Sequence, residues 1–311
     1  MERIGVVGAG LIGRAWAMVF ARAGHPVTMY DSDARALAAS RVFIAESLLA
    51  QREHGLIVDP PEAILGRIAP ADTIAAAVAD ATYVQENVRE TVDAKRGIYA
   101  EMDVLAPPGC ILASSTSFIP ASAFSADLAG RARCLVAHPV NPPHVVPVVE
   151  LCPAPWTAAE TVERARALHA SVGQVPVVVR KEIPGFILNR LQAALVCEAM
   201  RLYEDGYASS EDIDKTIRDG LGLRWSFMGP LETIDLNAPG GVVDYAQRYA
   251  KTLVEMNRSQ APREWDPGAL HRLEAERRAL VPAAELDGRA AWRDRRLMAL
   301  VAHKRNVRDE I

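Results

Sequence analysis

Arg3-Ile4-Gly5-Val6-Val7-Gly8-Ala9-Gly10-Leu11-Ile12-Gly13 begins as a short apolar run and ends on three glycines spaced G-x-G-x-x-G. The run reads as a buried strand. Behind it, Leu11–Ala23 carries Ile12, Trp16, Val19 and Phe20 at helical spacing and stops at Gly24. A second strand, Val27–Tyr30, leads directly into Asp31. This order of strand, glycine turn, helix, strand and acid is that of a dinucleotide-binding unit. Gly8 permits the tight turn, Gly10 lets the backbone approach a pyrophosphate, and Gly13 lets the helix pack closely on the sheet. The free N–H groups at the helix start, at Leu11 and Ile12, favour phosphate together with the helix dipole. Asp31 is placed to accept from the adenosine ribose hydroxyls and to repel a 2′-phosphate. Arg35 is close, yet no Arg follows Asp31 directly, so NAD is the expected cofactor.

Outward from this unit, apolar runs recur at Thr82–Gln85, Ile111–Ala113, Cys134–Ala137 and Val175–Val179, separated by helix-compatible segments. Near-continuous apolar strands alternating with helices predict an α/β fold, a Rossmann-type, mostly parallel, doubly wound sheet. The pattern changes at Ile183-Pro184-Gly185. From Phe186 to Glu204 the apolar residues recur at helical intervals. Ser209 and Asp212 predict a capping box for a helix ending near Gly220, and no convincing strand follows. Two domains are therefore expected: residues 1–183 binding NAD, and a mostly α-helical C-terminal domain, residues 184–311, for substrate and dimerisation. The run from Arg289 to Arg308 reads as a docked amphipathic helix, with a membrane-surface helix as the alternative.

The chain has 311 residues, half of them hydrophobic and 24% charged, with a net charge of -4. That suits a folded protein of two domains and offers no basic face for nucleic acid. The four cysteines form no C-x-x-C pair and read as free thiols, and no metal site is expected. Neither a signal sequence nor an apolar stretch of membrane-spanning length is evident, so a cytoplasmic protein without a membrane partner is expected.

Polar residues stand where a core would otherwise be apolar. Ser114-Ser115-Thr116-Ser117 follows the strand Ile111–Ala113, and strand C-terminal ends border the ligand crevice in such sheets. His138-Pro139-Val140-Asn141-Pro142 follows Leu135 and Val136. Glu150 closes the apolar run Val145–Val149, and Asn189 sits early in the helix at the domain boundary. Each alone has a structural reading: a hydroxyl-rich turn, a core histidine, a solvated glutamate, a capping amide. Together, at the ends of core elements, they point to catalysis.

With the P-G-F-x-x-N-R stretch around Asn189, these motifs resemble the 3-hydroxyacyl-CoA dehydrogenase superfamily. The Gly222-Leu223-Arg224-Trp225-Ser226-Phe227-Met228-Gly229-Pro230 segment resembles its lambda-crystallin-like branch. The resemblance implies Ser117, His138, Glu150 and Asn189 as the catalytic set, with His138 as general base. A hydroxyl proton must leave as hydride leaves the carbinol carbon, and imidazole titrates near working pH. It also implies cofactor contacts from Glu90 and Lys95, for which an exposed ion pair at a helix start stays the alternative. The branch implies a small free 3-hydroxy acid such as L-gulonate. The wider family implies hydroxyacyl-CoA thioesters, and a non-catalytic crystallin role is a third reading. Relatives that use CoA carry lysine and serine on a helical hairpin after the second strand. Arg41–Ile68 here has no lysine, only Arg41, Arg52 and Arg67. Arg224 is the candidate for the substrate carboxylate, with an interface arginine as the alternative. Family habit implies a homodimer.

Overall fold

The computed structural model describes residues 1–307. Its strands are β1 (Ile4–Val7), β2 (Val27–Tyr30), β3 (Ile68–Ala71), β4 (Tyr83–Glu86), β5 (Ile111–Ser114), β6 (Cys134–Pro139), β7 (Val148–Pro153) and β8 (Val175–Val178). They form one sheet in the order β3-β2-β1-β4-β5-β6-β7-β8. Every pairing is parallel except β6 with β7. The order reverses between β1 and β4, and beyond the carboxyl ends of those strands lies the crevice where open α/β sheets bind ligands.

The longer helices of this part of the chain are α1 (Leu11–Arg22), α2 (Ala34–Glu53), α3 (Val92–Leu105) and α4 (Ala159–Ser171). Asp33 caps α2 by accepting from Arg35 N–H, and Thr91 caps α3 by accepting from Ala94 N–H. Strand residues alternate between two cores. Val6, Tyr83, Ala113 and Leu135 pack with Trp16 and Phe20 on one face. Val7, Val84, Leu112 and Val136 pack with Tyr99, Met102 and Phe124 on the other. Truncating a fully buried aromatic such as Trp16 to Ala costs about 3–5 kcal/mol at such a site.

Two strands depart from expectation. β3 pairs with β2 at the sheet edge although Pro70 lies within it. Only its two ends are buried, so it carries little apolar signal, and an edge tolerates proline. β7 absorbs Glu150, which the sequence places at the end of an apolar run. It is a true strand in which a buried carboxylate interrupts the hydrophobic pattern.

The chain divides into two compact units: Met1–Arg190 together with the chain from Ala290 onward, and Leu191–Arg289. Helix α5 (Leu188–Glu204) begins in the first and continues in the second. Within the second unit, Ser209 accepts from Asp212 N–H as the capping box requires. The helix does not stop near Gly220. It passes through a π-helical turn, Thr216–Leu221, and runs on to Trp225. Helix α6 (Gly241–Ser259) has no buried residue and exposes Val242, Tyr249, Leu253 and Met256.

Helix α7 (Leu286–Asn306) brings the C-terminal segment back to the first unit. Met298, Leu297 and Val301 pack there with Leu56 and Val145, which is the docked amphipathic helix expected. Arg308, the end of that expected run, and the last residues of the expected second domain lie outside the described residues. Among the described residues no helix is long and apolar enough to cross a membrane.

Candidate active site

β6 and β7 run antiparallel in a register that sets His138 opposite Glu150. Cross-strand partners share a face of the sheet, so their side chains must meet. His138 Nδ1 lies 2.8 Å from Glu150 Oε2, with 4% and 2% of the two residues exposed. Glu150 uses its other oxygen to accept from the backbone N–H groups of Ile187 (2.8 Å) and Leu188 (2.9 Å), at the start of α5. Those N–H groups are free because they precede the helical ladder. They face β7 because Gly185 (φ 77°) and Phe186 (φ 51°) turn the chain through two left-handed residues. A left-handed phenylalanine costs on the order of 1–2 kcal/mol. Complete burial of its ring, 5.4 Å from the His138 ring, offsets that cost.

Burial alone would push the Glu150 carboxyl up. The hydrogen bond with His138 and the two backbone donors outweigh it and hold the group below the usual carboxylate range. An ionised Glu150 accepts from Nδ1–H, which fixes the imidazole tautomer and leaves Nε2 for chemistry.

Asn189, one residue into α5, donates from Nδ2 to the Ser117 carbonyl at 2.9 Å. The first turn of α5 therefore joins the two halves of the expected catalytic set, Glu150 with His138 and Asn189 with Ser117. The Ser117 hydroxyl makes no hydrogen bond among the described residues. Glu90 holds the same turn from the other side: one of its oxygens accepts from Ser117 N–H (2.9 Å), Phe118 N–H (3.2 Å) and the Thr116 hydroxyl.

Lys95 corrects the picture of an exposed ion pair. It is fully buried on α3, with Nζ 3.0 Å from Glu86 and 3.9 Å from Glu90. Glu86 also accepts from the Ser114 hydroxyl and from Val88 N–H, both at 2.6 Å. Burial pushes the Glu86 carboxyl up, and Lys95, Ser114 and Val88 N–H offset only part of that rise. Sequence reading missed Glu86, ending the strand one residue early at Gln85. It also missed the network below, where Ser115 Oγ donates to Asn87 and accepts from Gln85 (2.7 Å) and Trp16 (3.0 Å). The available signal was the hydroxyl quartet Ser114–Ser117, whose first three hydroxyls go to Glu86, Asn87 and Glu90 in turn.

The glycine turn fits a dinucleotide. A Cβ on Gly13 would stand 1.8 Å from the Gly8 carbonyl, so α1 approaches β1 as closely as a glycine allows, whereas a Cβ on Gly10 meets nothing within 4 Å. No side chain caps α1, so the N–H groups at Leu11 and Ile12 remain for phosphate. Asp31 accepts from Ala9 N–H (2.6 Å) and Asp33 N–H (2.9 Å), which aims its carboxylate at the turn. Arg35 pairs with Asp33 on the surface. Arg224 lies in the second unit on the short helix Gly222–Trp225, exposed between Leu223 and Trp225, and its guanidinium has no partner among the described residues.

Residues 3–183 match the model of the 3-hydroxyacyl-CoA dehydrogenase NAD-binding domain, and residues 185–277 match that family's C-terminal domain. The chain is 39% identical over 311 residues to lambda-crystallin of Oryctolagus cuniculus, covering 98% of this chain and 97% of that one. It is 36% identical over 264 residues to the L-carnitine dehydrogenase of Streptomyces griseus, covering 84% and 78%. Among solved structures it resembles 5-formyl-3-hydroxy-2-methylpyridine 4-carboxylic acid 5-dehydrogenase, an NAD+-dependent dismutase. That match has a TM-score of 0.85 and 29% identity, covering 96% of this chain and 97% of that one. NAD is thus the cofactor the glycine turn is built for, and the chain belongs to the 3-hydroxyacyl-CoA dehydrogenase family of NAD-dependent dehydrogenases acting on 3-hydroxy substrates.

Proposed function

We propose that the chain oxidises a small free 3-hydroxy acid of the L-gulonate type to the 3-keto acid, with His138 as general base. Bound NAD supplies the hydride acceptor. Nε2 of His138 takes the hydroxyl proton as the carbinol carbon loses hydride, so no free alkoxide forms. Glu150 keeps the proton on Nδ1 and offsets the charge of the imidazolium that results. The Ser117 hydroxyl holds the reacting oxygen, and Asn189 keeps the Ser117 turn in place while presenting its remaining amide hydrogen. The observation that carries this reading is the 2.8 Å contact between His138 and Glu150, with Glu150 anchored on the start of α5.

The choice of a free acid over a thioester rests on Arg41–Ile68. Its three arginines are spent on the chain itself. Arg41 donates to the Ile68 carbonyl, Arg52 to Ile57 and Val58, and Arg67 to Ala21 and Asp59. Each thus has a structural role of its own, and the segment offers no lysine for the phosphates of coenzyme A. A purely structural, crystallin-like role leaves the intact catalytic set without a purpose. The test is NADH production with L-gulonate, 3-hydroxybutyrate, carnitine and 3-hydroxybutyryl-CoA. The highest kcat/KM is expected with a free hydroxy acid, and a clear preference for the thioester would overturn this choice.

Further assignments follow from the same reading. The first unit binds NAD, with Glu90 as a contact and buried Lys95 supporting it from behind. Leu191–Arg289 serves substrate and dimerisation. Arg224 is a cation open to the substrate carboxylate, and the exposed apolar stripe of α6 is the face for a second copy of this chain. The compartment is the cytoplasm.

A further inference from the structure

Glu86 and Lys95 form an ion pair in which neither side chain is exposed, and no step of the chemistry above uses Glu86. Lys95 Nζ lies 3.1 Å and 3.0 Å from the two Glu86 oxygens. A buried pair adds little to stability, because desolvation of both ions offsets their attraction. Uncharged side chains of like size commonly do as well. The pair therefore calls for another reason, and its neighbours supply one.

The stretch 114–119, which carries Ser117, is wound on two carboxylates. Glu86 takes its beginning. The Ser114 hydroxyl donates to Oε2 at 2.6 Å, and Ser115 N–H donates to the Glu86 carbonyl at 2.9 Å. Ser114 Oγ accepts from Thr116 N–H at 3.2 Å. Glu90 takes the middle, where Oε1 accepts from Ser117 N–H, Phe118 N–H and the Thr116 hydroxyl. Lys95 joins the two carboxylates, with Nζ 3.9 Å from Glu90 Oε2. The Glu90 side chain is 40% exposed, so the buried ammonium behind it draws its second oxygen inward and keeps the first on the turn. Among the described residues Lys95 has no other carboxylate within ion-pair distance, so the place of its charge is set by Glu86. Val88 N–H, 2.6 Å from Glu86 Oε1, fixes that carboxylate at the end of β4. On the other side Asn189 holds the Ser117 carbonyl. The Ser117 backbone is thus gripped at both N–H and C=O. Every group in this chain of contacts belongs to the first unit.

We propose that Glu86 is a positioning residue for the reaction, holding Lys95 and through it Glu90, so that the Ser117 hydroxyl keeps one place. The proposal rests on the role given to Ser117 above and deepens it by naming the group that sets its position. The test compares the full chain with Glu86→Gln and with Glu86→Gln/Lys95→Met. The double variant removes both charges at nearly constant volume, so no lone ion is left buried and the fold should be kept. Thermal unfolding checks that. In both variants amide hydrogen exchange at Ser117 and Phe118 should quicken about ten-fold or more, with Leu112 and Ala113 of β5 unchanged. At saturating NAD, kcat should fall by about ten- to a hundred-fold, the scale of a misplaced reacting group. In a Ser117→Ala background most of that further loss should vanish, because Glu86 acts through Ser117. Unchanged exchange and kcat in the folded double variant overturn the proposal, and so do losses that simply add to that of Ser117→Ala. A loss confined to NAD affinity also overturns it, since the two carboxylates and Lys95 would then serve the cofactor. Full kcat in Ser117→Ala would instead overturn the role of Ser117 itself, and this proposal with it.

Discussion

The parallel half of the sheet, β1 to β5, and the antiparallel pair β6–β7 serve one crevice with different materials. The parallel half works through backbone. Gly8 and Gly13 leave the space a close approach needs, the α1 N–H groups are unspent, and the candidate carboxylate, Asp31, is itself held by N–H groups. The antiparallel pair works through side chains, placing His138 on Glu150 by strand register alone. A one-residue slip of β7 would carry Glu150 to the opposite face. Cofactor binding and proton transfer should therefore respond to separate substitutions.

The largest effect tests the antiparallel side. His138→Gln should lower kcat by roughly a hundred- to ten-thousand-fold, with the NAD dissociation constant nearly unchanged. Glu150→Gln should cost less and move the pH profile of turnover, because it removes the charge that offsets imidazolium while keeping an acceptor for Ile187 and Leu188. Stopped-flow measurement of NADH formation beside NAD titration separates the two quantities. If His138→Gln kept most of its turnover, or lost NAD binding together with it, the division between the two halves would not hold.

On the parallel side the expected change is smaller. Asp31→Ala should weaken NAD binding by about ten-fold, the scale of a lost charge-assisted hydrogen bond, and relax discrimination against NADP. Turnover at saturating cofactor should be preserved. Equal efficiency with NAD and NADP in the unmodified protein would remove Asp31 from this role.

The same contrast explains what could be read in advance. The parallel half was legible because each feature is local. The strand–glycine–helix unit lies within 31 residues, and Val27–Tyr30 is found where its pattern places it. The candidate catalytic residues were identifiable as polar residues at the ends of apolar runs, but their geometry was not. That Glu150 faces His138 depends on β7, whose pattern is broken by Glu150 itself. That Asn189 reaches Ser117 depends on the left-handed turn at Gly185 and Phe186. Lys95 could not be recognised as buried, since its partner Glu86 sits at a strand end that sequence periodicity treats as loop. Tertiary partners decide all three, and neighbours in sequence carry no trace of them.

A further effect concerns stability beneath the parallel half and leaves catalysis aside. His169 on α4 is fully buried, its Nε2 2.8 Å from the Tyr83 hydroxyl and its Nδ1 without a partner. A second proton would lodge on a buried nitrogen with nothing to receive it, and burial accordingly lowers the group to about 3. In the unfolded chain histidine titrates near 6.5. Because the folded value is the depressed one, the unfolded state binds the proton first as pH falls. Stability from keeping His169 neutral is then complete above about pH 6.5 and is lost progressively towards pH 3. At about 1.4 kcal/mol per pH unit, the loss by pH 5 is roughly 2 kcal/mol from this residue. His169→Leu should lower stability at pH 7, where the Tyr83 hydrogen bond is missed, yet flatten the decline towards pH 5. Urea unfolding at the two pH values checks this through the difference of differences. Parallel declines in the two proteins would mean that His169 takes up its proton within the folded state, and that the core under β4 is more open to water than its burial indicates.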